Sequence, residues 1–467
     1  MNMMTRREIL AGAAAAAFSS SAEAARGSRP PNVVYMMADD LGYADLSCYG
    51  RREYKTPNID SIGQRGVRFL QAYANSAVCS ATRTALITGR YQYRLRVGLE
   101  EPIRTGGQQG LPPEQPTLPS LLKKSGYSAT LIGKWHLGFL PDFGPLKSGY
   151  DHFWGFRAGA LDYFTHKNDG GRDDLWDDDV QIHQVGYLTD LMGDRAVKVI
   201  TDYAKTATPF LLSLHFNAPH WPWEGPMDEA ESQRIRSLAD HDGGSMKTYA
   251  SMVTRMDFQV GRVLKALDAA GIADNTIVIF TSDNGGERFA DTWPFTGKKT
   301  ELLEGGLRIP ALARWPGHIR AGSTTDQVAI SMDWMPTVLA AAGAMPDPAF
   351  PPDGMNLLPQ LTAGAAPVSR RLYWRYHYYQ QHAMRDGEMK YLRINGNEFL
   401  FNVVDDPLER ANLKERQPDV FRRMKQAWDE WNSTMLPDMD DVRSGPLGYA
   451  DDLADHFGVE RPKRPGR

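Results

Sequence analysis

The sequence predicts an α/β protein: a large, mostly parallel sheet sandwiched by helices, followed by a smaller antiparallel sheet with a helix. Three observations predict it. Four short runs, Asn32-Val33-Val34-Tyr35-Met36-Met37, Ser128-Ala129-Thr130-Leu131-Ile132, Phe210-Leu211-Leu212-Ser213-Leu214 and Thr276-Ile277-Val278-Ile279-Phe280, have the continuous apolar character of strands buried on both faces. Helical patterns lie between them, as a parallel sheet requires. After a Pro-rich stretch from Pro346 to Pro352 the character changes to short runs broken by tight turns.

Taken in order, each of the four runs leads into a polar cluster. The first reaches Asp39-Asp40, the second Lys134 and His136, the third His215 and His220, and the fourth Asp283-Asn284. Open α/β sheets bind ligands at the carboxyl ends of their strands, so four separate segments aim polar residues at one edge. The clearest helix has Met252, Val253, Met256, Val260, Val263, Leu264 and Leu267 on one face and ends near Gly271. Beyond the Pro-rich linker, Leu372 to Tyr376, Met389 to Arg393 and Glu398 to Asn402 read as strands, with turns at Asp386-Gly387 and Asn395-Gly396. A final helix is expected over about Asp419 to Met435. This divides the chain into a large domain over 30–345, a smaller one over 346–460 and a loose basic, Pro-rich tail over 461–467.

A chain of 467 residues, 42% hydrophobic, is long enough for these two units. A net charge of −4 gives no basic footprint for nucleic acid. The first 25 residues read as an export signal and not as fold: Thr5-Arg6-Arg7-Glu8 precedes a short apolar run from Ala11 to Phe18, and Ala22-Glu23-Ala24 offers a cleavage pattern. The paired arginines suit twin-arginine export, with an ordinary secretory signal as the alternative. The apolar run is too short to span a bilayer, so the expected location is the bacterial periplasm, with export machinery as a partner. Two cysteines, Cys48 and Cys79, leave room for one disulfide in an oxidising compartment.

Asp39, Asp40, Asp283 and Asn284 make an oxygen-only donor set. That suits Ca2+, with Mg2+ as second choice, and does not suit zinc. Any one of them alone would pass as a turn or capping residue. Cys79 is expected at the start of a helix that includes Thr84 to Ile87 and stops near Gly89, with Arg83 one turn on along the same face. The competing reading of Cys79 is a buried or reactive thiol. Lys134 and His136, separated by one residue, can both reach one site from a strand end. His220 sits in Asn217-Ala218-Pro219-His220-Trp221-Pro222, where the prolines restrict the loop. His215, within its strand, is read as structural. One lysine of Lys298-Lys299 should face the site, while Glu304 and Arg308 are read as a structural pair.

The run Cys79-Ser80-Ala81-Thr82-Arg83 resembles the maturation signal of type I sulfatases, in which the cysteine is oxidised to Cα-formylglycine. With the other blocks in the same order, the chain resembles that family of the alkaline phosphatase superfamily over about Pro31 to Leu413. The resemblance implies an alkaline phosphatase-like sheet. The stretch Gly149-Tyr150-Asp151-His152-Phe153-Trp154-Gly155, with Asp162-Tyr163-Phe164-Thr165-His166, is most similar to the arylsulfatase B (N-acetylgalactosamine-4-sulfatase) branch.

The resemblance implies a sulfuric ester hydrolase acting on a sulfated carbohydrate of galactosamine or related type. It implies Ca2+ held by Asp39, Asp40, Asp283 and Asn284, and a formylglycine hydrate at Cys79 as nucleophile. Arg83 and Lys134 would steady that residue, and Lys134, His220 and Lys299 would contact sulfate. His220 or Lys299 would protonate the leaving alcohol, and His136 would deprotonate the second hydroxyl. The family's spacing to Glu304-Gly305-Gly306 selects Lys299 over Lys298. A formylglycine-generating maturase is the implied partner, and Ala81 departs from the commoner Pro. Trp154, Tyr163, His166, Trp221, Trp223 and His377 are candidates for a sugar pocket, although each also suits a structural role. Two rival readings are a phosphate-ester hydrolase of the same superfamily, whose sites need more metal ligands, and a non-catalytic carbohydrate-binding relative if Cys79 is not matured.

Overall fold

The computed structural model describes residues 29–234 and 243–445. The expected export signal and the 461–467 tail lie outside the described residues, as does 446–460 of the smaller unit. Among the described residues, no helix is long and apolar enough to cross a membrane.

The four apolar runs form adjacent strands at the heart of a ten-stranded mixed sheet, in the order Thr276–Ser282, Asn32–Ala38, Phe210–His215, Ser128–Lys134. All four are parallel, and His152–Phe156 extends the parallel block by one. Antiparallel Ala311–Arg314 follows on the other side. Because side chains alternate along a strand, each central strand feeds two cores. Val34, Met36, Leu212, Leu214, Val278 and Phe280 pack with helices Leu188–Tyr203 and Met246–Ala269. Val33, Tyr35, Met37, Leu211, Ile277 and Ile279 face the other way, against Leu118–Lys124 and Trp334–Ala341. This is the double-sided burial that unbroken apolar runs require.

The segment after the Pro-rich stretch still packs on the large core, through Leu357, Leu358 and Leu361. The smaller sheet has four antiparallel strands, Arg371–Tyr376, Gln381–Asp386, Met389–Ile394 and Asn397–Asn402, where the sequence suggests three. The additional strand, Gln381-His382-Ala383-Met384-Arg385-Asp386, is mostly polar and has no β-branched residue, so its pattern is silent. The last helix is Pro418–Asn432, ending three residues before the expected Met435. It covers one face of this sheet, packing Met424, Ala427 and Trp428 on Met384, Tyr391 and Leu400. The other face, with Leu372, Trp374, Tyr376, Ala383, Leu392 and Phe401, packs on Ala77, Val78, Ala81 and Ala85. The small sheet therefore sits directly on the helix that begins at Cys79. Lys390 also reaches across to Glu304 at 3.0 Å and Glu409 at 2.8 Å, and Arg308 closes on Glu304 at 2.7 Å, all buried. Glu304 and Arg308 are thus the structural pair read from the sequence.

Candidate active site

The helix Cys79–Thr88 is buried along its whole length, polar residues included. Thr84 and Thr88 satisfy their hydroxyls on the carbonyls of Ser80 and Thr84, at 2.9 and 2.7 Å, which lets threonines lie in a core. Gly89 ends the helix in the left-handed region at φ 66°. Val78, at the N-cap, has no side chain able to cap, and the positive end of the helix dipole lies at Cys79. Cys48 and Cys79 are both free thiols, so the possible disulfide is not formed.

All ten residues singled out in the sequence, Asp39, Asp40, Cys79, Arg83, Lys134, His136, His220, Asp283, Asn284 and Lys299, are buried at the carboxyl edge of the sheet. Asp40 adopts φ 64°, a left-handed turn that brings consecutive carboxylates together where an extended strand would send them to opposite faces. Ligand atoms of Asp39, Asp40 and His220 lie within 4.8 Å of one another, as do those of Asp39, Cys79 and Asp283. The sulfur of Cys79 therefore borders the carboxylate cluster.

Each carboxylate has its own cation from a different element. Lys134 Nζ lies 2.5 Å from Asp39 Oδ2, and Lys299 Nζ lies 2.6 Å from Asp40 Oδ2. Arg83 Nη2 is 2.8 Å from Asp283 Oδ2 and 3.7 Å from Asp39 Oδ2. Burial and the Asp283 charge push the Asp39 carboxyl well above the usual range, despite Lys134 and Arg83. Burial would raise Asp283 too, but Arg83 and Lys134 outweigh it and hold that carboxyl below the usual range. Burial also works against the Lys299 charge, yet Asp40 and Glu287 keep it well above its ordinary value. The Cys79 thiol is pushed up by burial, with Lys134 and Lys299 opposing, so the helix dipole does not make it a ready thiolate.

The histidines have assignable roles in hydrogen bonding. His136 Nε2 faces the Ile103 carbonyl at 3.0 Å and must be the N–H, which leaves Nδ1 as a buried acceptor with no protein partner. His220 Nδ1 donates to the Trp221 carbonyl at 2.6 Å and leaves Nε2 facing Asp40 Oδ2 at 3.6 Å. Burial pushes both imidazoles well below their ordinary values, with Lys134 adding at His136 and Lys299 and Lys134 adding at His220. His215 sits behind the site, 3.5 Å from Arg83 Nη1 and edge-on to Tyr35, and is structural.

The donor set fits a hard divalent cation. Asp39 Oδ1 and Asn284 Oδ1 are buried oxygens with no hydrogen-bond partner, beside carboxylates that repel one another. Among the sugar-pocket candidates, Trp154, Tyr163, His166, Trp221 and Trp223 are buried in the protein, and only His377 is exposed.

Three residues were not read from the sequence. Glu287, three positions after Asn284, has both carboxylate oxygens buried without a hydrogen-bond partner, and burial pushes its carboxyl up to about 7 against Lys299. Its place beside the Asp283-Asn284 pair is the signal that would have found it. Trp293, on the loop that carries Lys299, is a large apolar side chain left 67% exposed. Gln381 comes from the unpredicted strand.

Comparison with known proteins gives a consistent result. The Sulfatase family profile matches residues 31–344, and the profile described as N-sulphoglucosamine sulphohydrolase, C-terminal, matches residues 295–431. The chain is 34% identical to human N-acetylgalactosamine-6-sulfatase over 72% of its own length and 66% of that protein's. It is 33% identical to human arylsulfatase A, covering 71% of this chain and 68% of that protein. The chain thus spans about two thirds of the length of these curated relatives. Among solved structures, Ps i-CgsB is 30% identical with a TM-score of 0.78, covering 86% of this chain and 92% of its own. The same protein has been solved in complex with k-i-k-neocarrahexaose.

Proposed function

This chain belongs to the sulfatase family of sulfuric ester hydrolases, and we propose that it hydrolyses sulfate esters of a carbohydrate through a formylglycine at position 79. The observation that carries the reading is the placement of Cys79. It lies at the N-terminus of a buried helix, against Asp39 and Asp283, within reach of the charges of Lys134 and Lys299. The family generally uses formylglycine together with a divalent metal. Here Asp39, Asp40, Asp283 and Asn284 would hold it, and their hard oxygens suit Ca2+, with Mg2+ as second choice, over a softer metal such as zinc. When bound, it supplies positive charge that acidifies a neighbouring hydroxyl and offsets sulfate charge.

The protein's own residues divide the remaining work. Asp39, Asp40 and Asp283 are already matched by Lys134, Lys299 and Arg83, so a bound dication leaves the site with excess positive charge that an anionic sulfate ester meets. Arg83 and Lys134 fix the carboxylates around position 79. Lys134, His220 and Lys299 line the place of the sulfate oxygens. Lys299, which Asp40 and Glu287 keep protonated, gives a proton to the alcohol oxygen as its bond to sulfur breaks. His220 does so only when Nε2 is protonated as well as Nδ1, a form that its burial opposes. His136 Nδ1, unpartnered and accepting, takes the proton from the second hydroxyl, so that the carbonyl at position 79 returns and sulfate is expelled.

Similarity to N-acetylgalactosamine-6-sulfatase supports a galactosamine-type or related sugar, and the neocarrahexaose complex of Ps i-CgsB supports a carbohydrate in general. The branch resembling arylsulfatase B remains part of this proposal, as does export to a bacterial periplasm. A phosphate-ester hydrolase with two metals is not favoured, because the metal-capable groups among the described residues all share Asp39. The test is peptide mass analysis of protein co-expressed with a maturase, followed by a screen of sulfated sugars. A loss of about 18 Da at Cys79 is expected. An unmodified thiol with several maturases, and no sulfate release, would point instead to a non-catalytic carbohydrate-binding protein.

A further inference from the structure

Lys299 lies on a loop whose backbone is held from three sides. Its own N–H donates to the Gly286 carbonyl at 2.9 Å, and the next N–H, of Thr300, donates to the Ala77 carbonyl at 2.9 Å. Thr300 is held at φ 74°, a region that a β-branched residue rarely enters. Such a conformation persists only where the surroundings over-determine it.

The third side is Gln381, the first residue of the strand Gln381–Asp386 in the small sheet. Its side chain is fully buried. Oε1 accepts from Leu302 N at 2.8 Å, and Nε2 donates to the Thr300 carbonyl at 2.9 Å and to the Tyr378 carbonyl at 3.2 Å. One amide thus ties residues 300 and 302 to the small sheet. Only a side chain with a donor and an acceptor at one end can do this, and Asn is a methylene shorter.

Resting on the reading of Lys299 as a sulfate-contacting residue, we infer that Gln381 is a positioning residue for it. The C-terminal sheet thereby sets the aim of Lys299 through the amide clasp at residues 300–302. The Lys299 ammonium sits 2.6 Å from Asp40 Oδ2, so a loosened loop moves a charge out of a buried site and does not merely soften the surface. The adjacent strand brings Tyr376 within electrostatic reach of both Lys299 and Cys79, which places this sheet at the edge of the site.

The experiment is a double-mutant cycle on the full-length, maturase-treated protein. The readouts are inorganic sulfate affinity by calorimetry and KM and kcat for 4-nitrophenyl sulfate. Lys299→Ala and Gln381→Ala should each weaken sulfate binding about tenfold, while the double variant should be no more than about twofold worse than Lys299→Ala alone. Gln381→Met keeps the length and approximate volume and removes both hydrogen bonds to the loop without burying a charge. It should show the same pattern, and it carries the test if the alanine variant does not fold. A Gln381 loss that persists undiminished without Lys299, or sulfate affinity unchanged in both Gln381 variants, would overturn the inference alone. Unchanged affinity in Lys299→Ala would overturn the reading of Lys299 and the inference with it.

Discussion

Arg83 binds Asp283 through two nitrogens, Nη2 at 2.8 Å and Nε at 3.1 Å, both on Oδ2, with both residues buried. Its third nitrogen, Nη1, donates to the Lys134 carbonyl at 3.1 Å. One side chain therefore joins the Cys79 helix to the ends of two strands. Removing one partner of a buried ion pair leaves an uncompensated charge, which costs about 3–5 kcal/mol. Arg83→Ala is expected to lose stability of that order, and Arg83→Lys less, since it keeps the charge but not the forked contact. Urea midpoints of the three proteins check this. A fall under about 1 kcal/mol in Arg83→Ala would show that the pair does not hold the site together.

Gly159 leaves room for His136. A Cβ at position 159 would meet the imidazole Cε1 at 2.7 Å and Nε2 at 2.8 Å, distances at which one of them must move. The ring is held by its bond to Ile103, and His136 has φ 54°, so it has little freedom to yield. Gly159→Ala is expected to lower kcat by about 10²-fold, the scale of a lost acid–base group, with a smaller change in KM. Steady-state kinetics on a sulfate ester decides. An unchanged kcat would remove His136 from the proton transfer.

Stripping and restoring the metal should be visible in stability without any turnover. Asp39 is clustered with Asp40 on one side and Asp283 on the other, and Asp39 Oδ1 and Asn284 Oδ1 are buried without a partner, so a dication that binds only the folded state should stabilise it. Ligand at about 100 times its Kd adds about 2.7 kcal/mol. Ca2+ is expected to raise the melting temperature of chelator-treated protein more than Mg2+ does. Asp283→Asn should abolish the shift. Equal shifts in the variant and the parent would place the cation elsewhere.

What the sequence reveals and conceals follows from the range of the interactions. The four central strands are legible because burial on both faces demands unbroken apolar runs, and their polar ends mark the site edge. Lys134, His220 and Asp283 follow directly from those ends. Gln381 does not, because its meaning lies in bonds to residues 79 and 81 positions away, within a strand whose pattern is polar. Glu287 is hidden for a related reason: a glutamate after two glycines reads as a surface turn until the fold encloses it. The choice of Lys299 over Lys298 rests on the resembled family's spacing to Glu304-Gly305-Gly306, because two adjacent lysines are indistinguishable on their own. The structure buries Lys299 on Asp40.

Glu224 makes a pH-dependent contribution behind His220. Its carboxyl faces Asp162 and accepts from Tyr163 N at 3.2 Å, and the Tyr163 hydroxyl donates to the His220 carbonyl at 2.9 Å. Burial, reinforced by Asp162, pushes the Glu224 carboxyl from its ordinary 4.5 up to about 9. Between those values the folded protein holds a proton that the unfolded chain has released, so this contribution to stability falls as pH rises through the window. Glu224→Gln is expected to gain stability relative to the parent progressively from pH 5 to about pH 9, with no further gain above that. Urea midpoints of both proteins at several pH values check it. A constant difference would mean that Glu224 is ionised throughout.

The burial of Cys79 restricts when it can be matured. It is 2% exposed and belongs to a helix with no exposed residue, packed against the small sheet by Ala81 and Ala85. An enzyme that oxidises Cys79 must reach its buried side chain, and displacing this helix means opening the core between the two sheets. Oxidation is therefore expected before folding. If the paired Arg6-Arg7 direct twin-arginine export, which carries folded protein, oxidation must also precede export and take place in the cytoplasm. Two measurements test this. Purified, folded, unmodified protein incubated with maturase should keep its thiol, while the same protein refolded from urea with maturase present should acquire the modification. Exported protein from a strain lacking a cytoplasmic maturase should carry unmodified Cys79. Modified Cys79 in either the folded sample or that strain would show that the helix opens readily enough for the enzyme to enter.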